Sequence, residues 1–121
     1  MKNAINWFEI PATNFERAVR FYSEILKIDM HRETMMGSEM GLFPSENGVG
    51  GAVVSGDGYE PTDKGSLLYL NGGEDLAGPL SRVEKAGGKV ILPKTQITPE
   101  IGYFALLVDT EGNKVALHSP K

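Results

Sequence analysis

Apolar residues along this chain follow two alternating rhythms. Ile5–Ile10 repeats every second position, with Phe8 and Ile10 on one face and Trp7 and Glu9 on the other, which predicts a half-buried strand ended by Pro11. Phe15, Ala18, Val19, Tyr22, Ile25 and Leu26 then recur at helical spacing, while Glu16, Arg17, Arg20, Ser23 and Glu24 keep to the wet side. Thr13 with Glu16 has the pattern of a capping box, and Asn14 is a competing cap. Ile28–Met35 is a weakly alternating strand candidate. Met40–Phe43 and Gly51–Ser55 are short apolar strands around a loop, Pro44–Gly50.

The same order then returns. Ser66–Leu70 reads as a strand, and Leu76, Leu80, Val83 and Ala86 mark a helix that stops at Gly87-Gly88, with Pro79 tolerated in its first turn. Lys89–Leu92, Tyr103–Val108 and Lys114–His118 are three further strands. Pro93–Ile101 reads as a loop and Asp109–Asn113 as a turn. The segment Met40–Gly48 aligns without a gap on Phe104–Gly112, and the two copies are offset by about 61 to 64 residues. The linker Gly56–Gly65 is too short to separate two domains. The expectation is one domain, residues 1–121, made of modules 1–58 and 64–121, with ligands bound where the halves meet.

Composition narrows the function classes. The chain has 121 residues, enough for a self-sufficient core, and no cysteine, which removes disulfides, thiolate metal sites and a thiol nucleophile. Twelve basic against sixteen acidic residues leave a formal charge of -4, a poor match to nucleic acid. No apolar run reaches the ~20 residues of a membrane span, and Met1–Trp7 lacks the apolar core of a signal peptide. The expected compartment is the cytoplasm. Gly50-Gly51 and Gly72-Gly73 lack the context of a phosphate loop, and no Gly-x-Ser-x-Gly elbow occurs.

Four segments in order carry a resemblance: Phe8-Glu9-Ile10-Pro11-Ala12-Thr13, Arg17-Ala18-Val19-Arg20-Phe21-Tyr22, Ala86-Gly87-Gly88-Lys89-Val90 and Asp109-Thr110-Glu111-Gly112-Asn113. With the duplication, the chain resembles the glyoxalase, bleomycin-resistance and extradiol-dioxygenase (vicinal oxygen chelate) superfamily. The resemblance implies an α+β fold: two tandem βαβββ modules forming a curved mixed-sheet cup with the helices outside, commonly as a homodimer, sometimes with modules exchanged. In metal-dependent relatives, His or Glu residues on the first and last strand of each module hold the cation. Counted from Asn14 and Asp75, the first-strand places are Trp7 and Leu68; counted from Gly48 and Gly112, the last-strand places are Ala52 and Ala116. None is a donor for a divalent cation. A slip of two residues offers only Glu9 and His118, so no metal and no cofactor is expected.

The candidate site residues follow from the cup face. Glu9 and His118 are candidate catalytic groups, as an acid–base pair if they meet across the cup. Trp7, Glu9, Met36, Met40, Tyr103 and His118 are candidate ligand contacts. Two roles are open to Trp7, stacking on a planar ligand or plugging the cup. Met30, Met35, Met36 and Met40 read mainly as core, with Met36 and Met40 as rim candidates. By alternation with Leu68 and Leu70, Tyr69 should face the helix layer. His31 reads as surface. The expected function is binding of a small apolar or aromatic ligand without the family metal. The alternative is a glyoxalase I-like lyase or isomerase acting next to a carbonyl, with Glu9 or His118 as the base. A small molecule and a second copy of the chain are the expected partners; nucleic acid and membrane are not.

Overall fold

The computed structural model describes residues 2–121. The order is β1 (Trp7–Pro11), α1 (Phe15–Leu26), β2 (His31–Met35), β3 (Ser38–Leu42), β4 (Gly50–Ser55), then β5 (Tyr69–Asn71), α2 (Ala77–Val83), β6 (Lys89–Thr98), β7 (Gly102–Val108) and β8 (Lys114–Ser119). Each half forms a four-stranded mixed sheet, β1-β4-β3-β2 and β5-β8-β7-β6, with its first strand parallel to its last. The architecture is α+β, as the resemblance implies, with two separate sheets and no closed barrel.

Local chemistry sets the element ends. Asn14 is the cap of α1, its Oδ1 accepting from the Arg17 amide at 3.1 Å, so it prevails over the Thr13–Glu16 box. Pro11 does not end β1 but lies in it beside Val54, at the sheet edge where a missing amide is harmless. The predicted loop Pro93–Ile101 is mostly strand: β6 runs on to Thr98 by absorbing Pro93 through three register shifts against β7. By contrast, α2 ends at Val83 before the last periodic position, Ala86.

One continuous core joins the two halves. Phe8, Ile10 and Val53 of the first sheet, Leu70, Ala105, Leu107, Val115 and Leu117 of the second, and the inner faces of both helices belong to a single cluster. Phe21 of α1 reaches the second half, where Gly88 admits its ring; a Cβ there would stand 2.6 Å from Phe21. The opposite sheet faces, carrying Trp7 and Glu9 in one half and Tyr69 and His118 in the other, point away from this core.

Polar contacts fix how the halves meet. Glu111, from the turn between β7 and β8, accepts from the backbone amides of Thr13 (3.0 Å) and Asn14 (2.7 Å) at the start of α1, and from Arg17 Nε at 2.7 Å. Its side chain is 0 % exposed. Asp109 is a buried carboxylate with four donors: the amides of Glu111 and Asn113, the Asn113 side-chain amide and the hydroxyl of buried Tyr22, at 2.6 Å. Burial, together with the charge and hydrogen bond of Asp109, pushes the Tyr22 phenol well above its usual range. Asn113 also donates to the Pro11 carbonyl, 2.8 Å away.

Burial alone would raise the Glu111 carboxyl. The Arg17 hydrogen bond, the Asn14 amide, the Thr110 hydroxyl and the Arg17 charge outweigh it and hold the group below 4.5. A depressed folded-state pKa contributes stability that is complete above the unfolded value and is lost as pH falls through the folded one. Glu111→Gln is therefore expected to lower stability at neutral pH by about 2 kcal/mol and to flatten the fall on the acid side, as read by urea unfolding across pH. Tyr22→Phe, which takes one donor from Asp109, should cost about 1–3 kcal/mol by the same assay.

Candidate functional site

Strand pairing decides which side chains share a face. Glu9 lies beside Ala52 and Trp7 beside Gly50, so in the first half Trp7, Glu9, Ala52 and Val54 share the face away from the core. In the second half Tyr69 lies beside Ala116 and Asn71 beside His118, so these four share the corresponding face. Leu68 and Leu70 pack into the helix-side core instead. The expected orientation of Tyr69 is thus reversed, and Leu68 is not at a cup-facing place. The count misplaces it because α2 begins later than Asp75: its N-cap is Leu76, and the connector from β5 has five residues, Gly72–Leu76, against three, Ala12–Asn14, from β1. A shift of one residue exchanges the two faces of a strand.

On the first face, Glu9 is held by two aromatic donors. Trp7 Nε1 donates to Glu9 Oε2 at 3.3 Å and Tyr59 Oη to Oε1 at 2.9 Å. Tyr59 comes from the linker between the halves and packs with Met40, Leu42, Ala52 and Val54. Trp7 remains 45 % exposed, so it does not plug a cavity within the chain. On the second face, Tyr69 is 54 % exposed and stands 6.1 Å from the Phe104 ring. His118 Nε2 lies 2.6 Å from the Ile101 carbonyl. A carbonyl only accepts, so this contact puts the ring proton on Nε2.

The remaining candidates are scattered. Met40 lies buried on the Glu9 face, with Ala52 and Val54. Met36, at φ 51 in the turn between β2 and β3, is fully exposed and lines nothing. Tyr103 belongs to the opposite, helix-side face, packed against the main core with Lys94 Nζ 4.8 Å from its ring centroid. Glu9 and His118 bond to Tyr59, Trp7 and Ile101, not to one another, and sit on different sheets. His31 is exposed and paired with Glu33.

Cation donors are sparse on these faces. Glu9 and His118 are the carboxylate and imidazole nearest Ala52, Ala116 and Trp7, His31 and Glu33 lie farther across the first face on β2, and among the described residues no three His, Asp or Glu side chains converge on one point. A cleft of about 900 Å³ lies elsewhere, on the helix side of β1 and β5, lined by Phe8, Phe43, Leu68, Leu70 and Arg82 among others.

Residues 4–117 match the family model described as the Glyoxalase/Bleomycin resistance protein/Dioxygenase superfamily. The chain belongs to that superfamily. A glyoxylase-like domain-containing protein of Didymella fabae is 32 % identical over 121 residues, covering 93 % of this chain and 91 % of that protein. Among solved structures, a glyoxylase/bleomycin resistance protein/dioxygenase domain from Frankia sp. EAN1pec superposes with a TM-score of 0.72 at 15 % identity, covering all of both chains. TnmS3, an antibiotic binding protein from Streptomyces sp. CB03234, superposes with a TM-score of 0.66 at 20 % identity, covering 98 % of this chain and 97 % of that one. At these identities the structural likeness concerns the fold of the superfamily. No helix among the described residues is long and apolar enough to cross a membrane.

The Glu9 cluster has a spectroscopic signature. Its hydrogen bond to Glu9 comes first among the causes that raise the Tyr59 phenol above 10.0, followed by desolvation and the Glu9 charge. Glu9→Gln should return that phenol towards 10.0, visible as one earlier step in the tyrosinate absorbance titration that Tyr59→Phe removes.

Proposed function

We propose that this superfamily member binds a small, largely apolar or aromatic molecule in a cup without a metal, and that a second copy of the chain completes the cup. The observation carrying this reading is the pair of aromatic faces left uncovered. Trp7 stands beside Glu9 on one sheet and Tyr69 beside Phe104 and His118 on the other, while the opposite faces of both sheets share one core. A single chain therefore carries two half-sites that look outwards. Setting the Glu9 face of one copy against the His118 face of another makes a chamber with flat aromatic walls, Glu9 on one side and Asn71 and His118 on the other, the composition of a small-molecule pocket. The non-donor residues around Glu9 and His118 favour binding without a cation. TnmS3, an antibiotic binding protein of the same fold, agrees with a binding role. The continuous core supports treating residues 1–121 as one domain of two modules, 1–58 and 64–121. The proposed compartment is the cytoplasm, since a chain without cysteine draws nothing from an oxidising one.

Within this reading Trp7, Glu9, Met40, Tyr69 and His118 contact the ligand, with Trp7 as a stacking surface. The lyase or isomerase reading has less support, because Glu9 is engaged by two donors and His118 by a carbonyl, with no cation donors beside them to stabilise an enediolate.

The test combines assembly and binding. Sedimentation should show a dimer, and a panel of fused-ring aromatic compounds should quench or shift the Trp7 emission. Trp7→Ala, followed by calorimetry, and Tyr69→Ala should each weaken the best binder by about tenfold. Nickel, zinc or manganese should neither bind stoichiometrically nor strengthen it. A monomer that binds none of the panel, or a stoichiometric metal held by side chains, would overturn the proposal.

A further inference from the structure

The two repeats close the starts of their helices differently where a cleft runs along the seam between the modules. The turn Asp109–Asn113 is laid across the start of α1, where Glu111 fills the space and takes the amides of Thr13 and Asn14. Its counterpart in the first half, Ser45–Val49, makes no such closure over α2. There the amide of Ala77 is taken by Asp75 itself at 2.8 Å, and that of Leu76 by the Lys121 carbonyl at 2.9 Å. A cleft of about 900 Å³ opens on this side of the seam, with Val49, Asp75 and Gly78 in its lining. Phe8 and Phe43 form one wall, with ring centroids 5.3 Å apart. Leu68 and Leu70 form the other, and Leu26 and Ile28, at the end of α1, close one end. Glu9 and His118 do not line it.

A cation stands in this apolar setting. Arg82 Nε and Nη2 both donate to the Ile25 carbonyl, at 3.1 and 2.9 Å, which orients the guanidinium plane. Among the described residues no carboxylate pairs with it. One turn earlier the helix carries Gly78, a poor helix former, and a Cβ there would lie 3.6 Å from Nη1. Glycine thus leaves the edge of the guanidinium that Ile25 does not use uncovered. Two acids also line the cleft. Asp75 is committed to the Ala77 amide and to Lys94 at 3.1 Å, interactions that hold its carboxyl below the usual range, and Glu74 is exposed.

We propose that this seam cleft, which meets the sheet faces only at the edge strand β5 through Tyr69 and Asn71, is a second small-molecule site that takes an apolar carboxylic acid: the hydrocarbon or aryl body lies between Phe8, Phe43, Leu68 and Leu70, and the carboxylate takes the free edge of Arg82. A charged acceptor for guanidinium N–H groups in an apolar cleft is the partner that chemistry asks for.

The probe is 4-phenylbutanoate, compared with 4-phenylbutanol and 4-phenylbutylamine, and read by calorimetry and by the backbone amide signals of the folded chain. The acid should bind at least about tenfold more tightly than the alcohol, moving the signals of Gly72, Gly73 and Gly78. Arg82→Gln, which can still donate to the Ile25 carbonyl, should bring acid and alcohol to equal affinity. Gly78→Leu should raise the melting temperature yet abolish binding of the acid. Glu9→Gln and Trp7→Ala should leave it unchanged, so this site can fail while the sheet-face proposal stands, or the reverse. An amine that binds as tightly as the acid, shifts confined to the Trp7 face, or no shift at the three glycines because a second copy covers them, would each overturn the proposal.

Discussion

Two buried carboxylates in one turn decide the shape of this molecule. Asp109 and Glu111 sit where the second half touches the first, and every donor they need comes from a defined place: the Tyr22 hydroxyl, two amides at the start of α1, Arg17, and the turn's own backbone. A buried carboxylate deprived of donors is costly, so the turn tolerates few other positions against α1. The shared apolar core supplies most of the attraction between the halves, but it is not directional. These hydrogen bonds are, and they hold the helix-covered faces of the two sheets together and leave the other faces outwards.

That arrangement governs what each sheet face can do. Residues of the helix side, such as Leu70 and Tyr103, are spent on packing. The outward side keeps Trp7 and Tyr69 in solvent, with Glu9 tied to Tyr59 and His118 to Ile101.

Much of this was legible in the residues. The period of α1 is strong, with Phe15, Ala18, Val19, Tyr22 and Ile25 all buried where the pattern places them, and the strict alternation of Trp7, Phe8, Glu9 and Ile10 assigns both faces of β1 correctly. Elsewhere a competing effect prevailed. Pro93 and its polar neighbours read as loop, and only bulges, which pairing on β7 imposes, keep them in β6. Tyr59 lies in a linker with no periodicity, so nothing local points it at Glu9. Asp109-Thr110-Glu111-Gly112-Asn113 announces a turn, but its role as a clasp depends on partners about a hundred residues away in sequence, which spacing does not reveal. Tyr103 and Met36 show the limit of reasoning from composition: an aromatic at a strand start and a thioether in a turn are each compatible with a rim, and tertiary packing assigned one to the core and the other to water.

The pairing of β5 with β8 has a wider consequence. Because strand faces alternate singly, a slip of one residue in that register would send Tyr69 and Asn71 inwards and bring Leu70 out, with no substitution at all. A duplicated scaffold of this kind can therefore exchange the whole chemical character of one wall in a single evolutionary step, while the partner wall on β1 is left as it was.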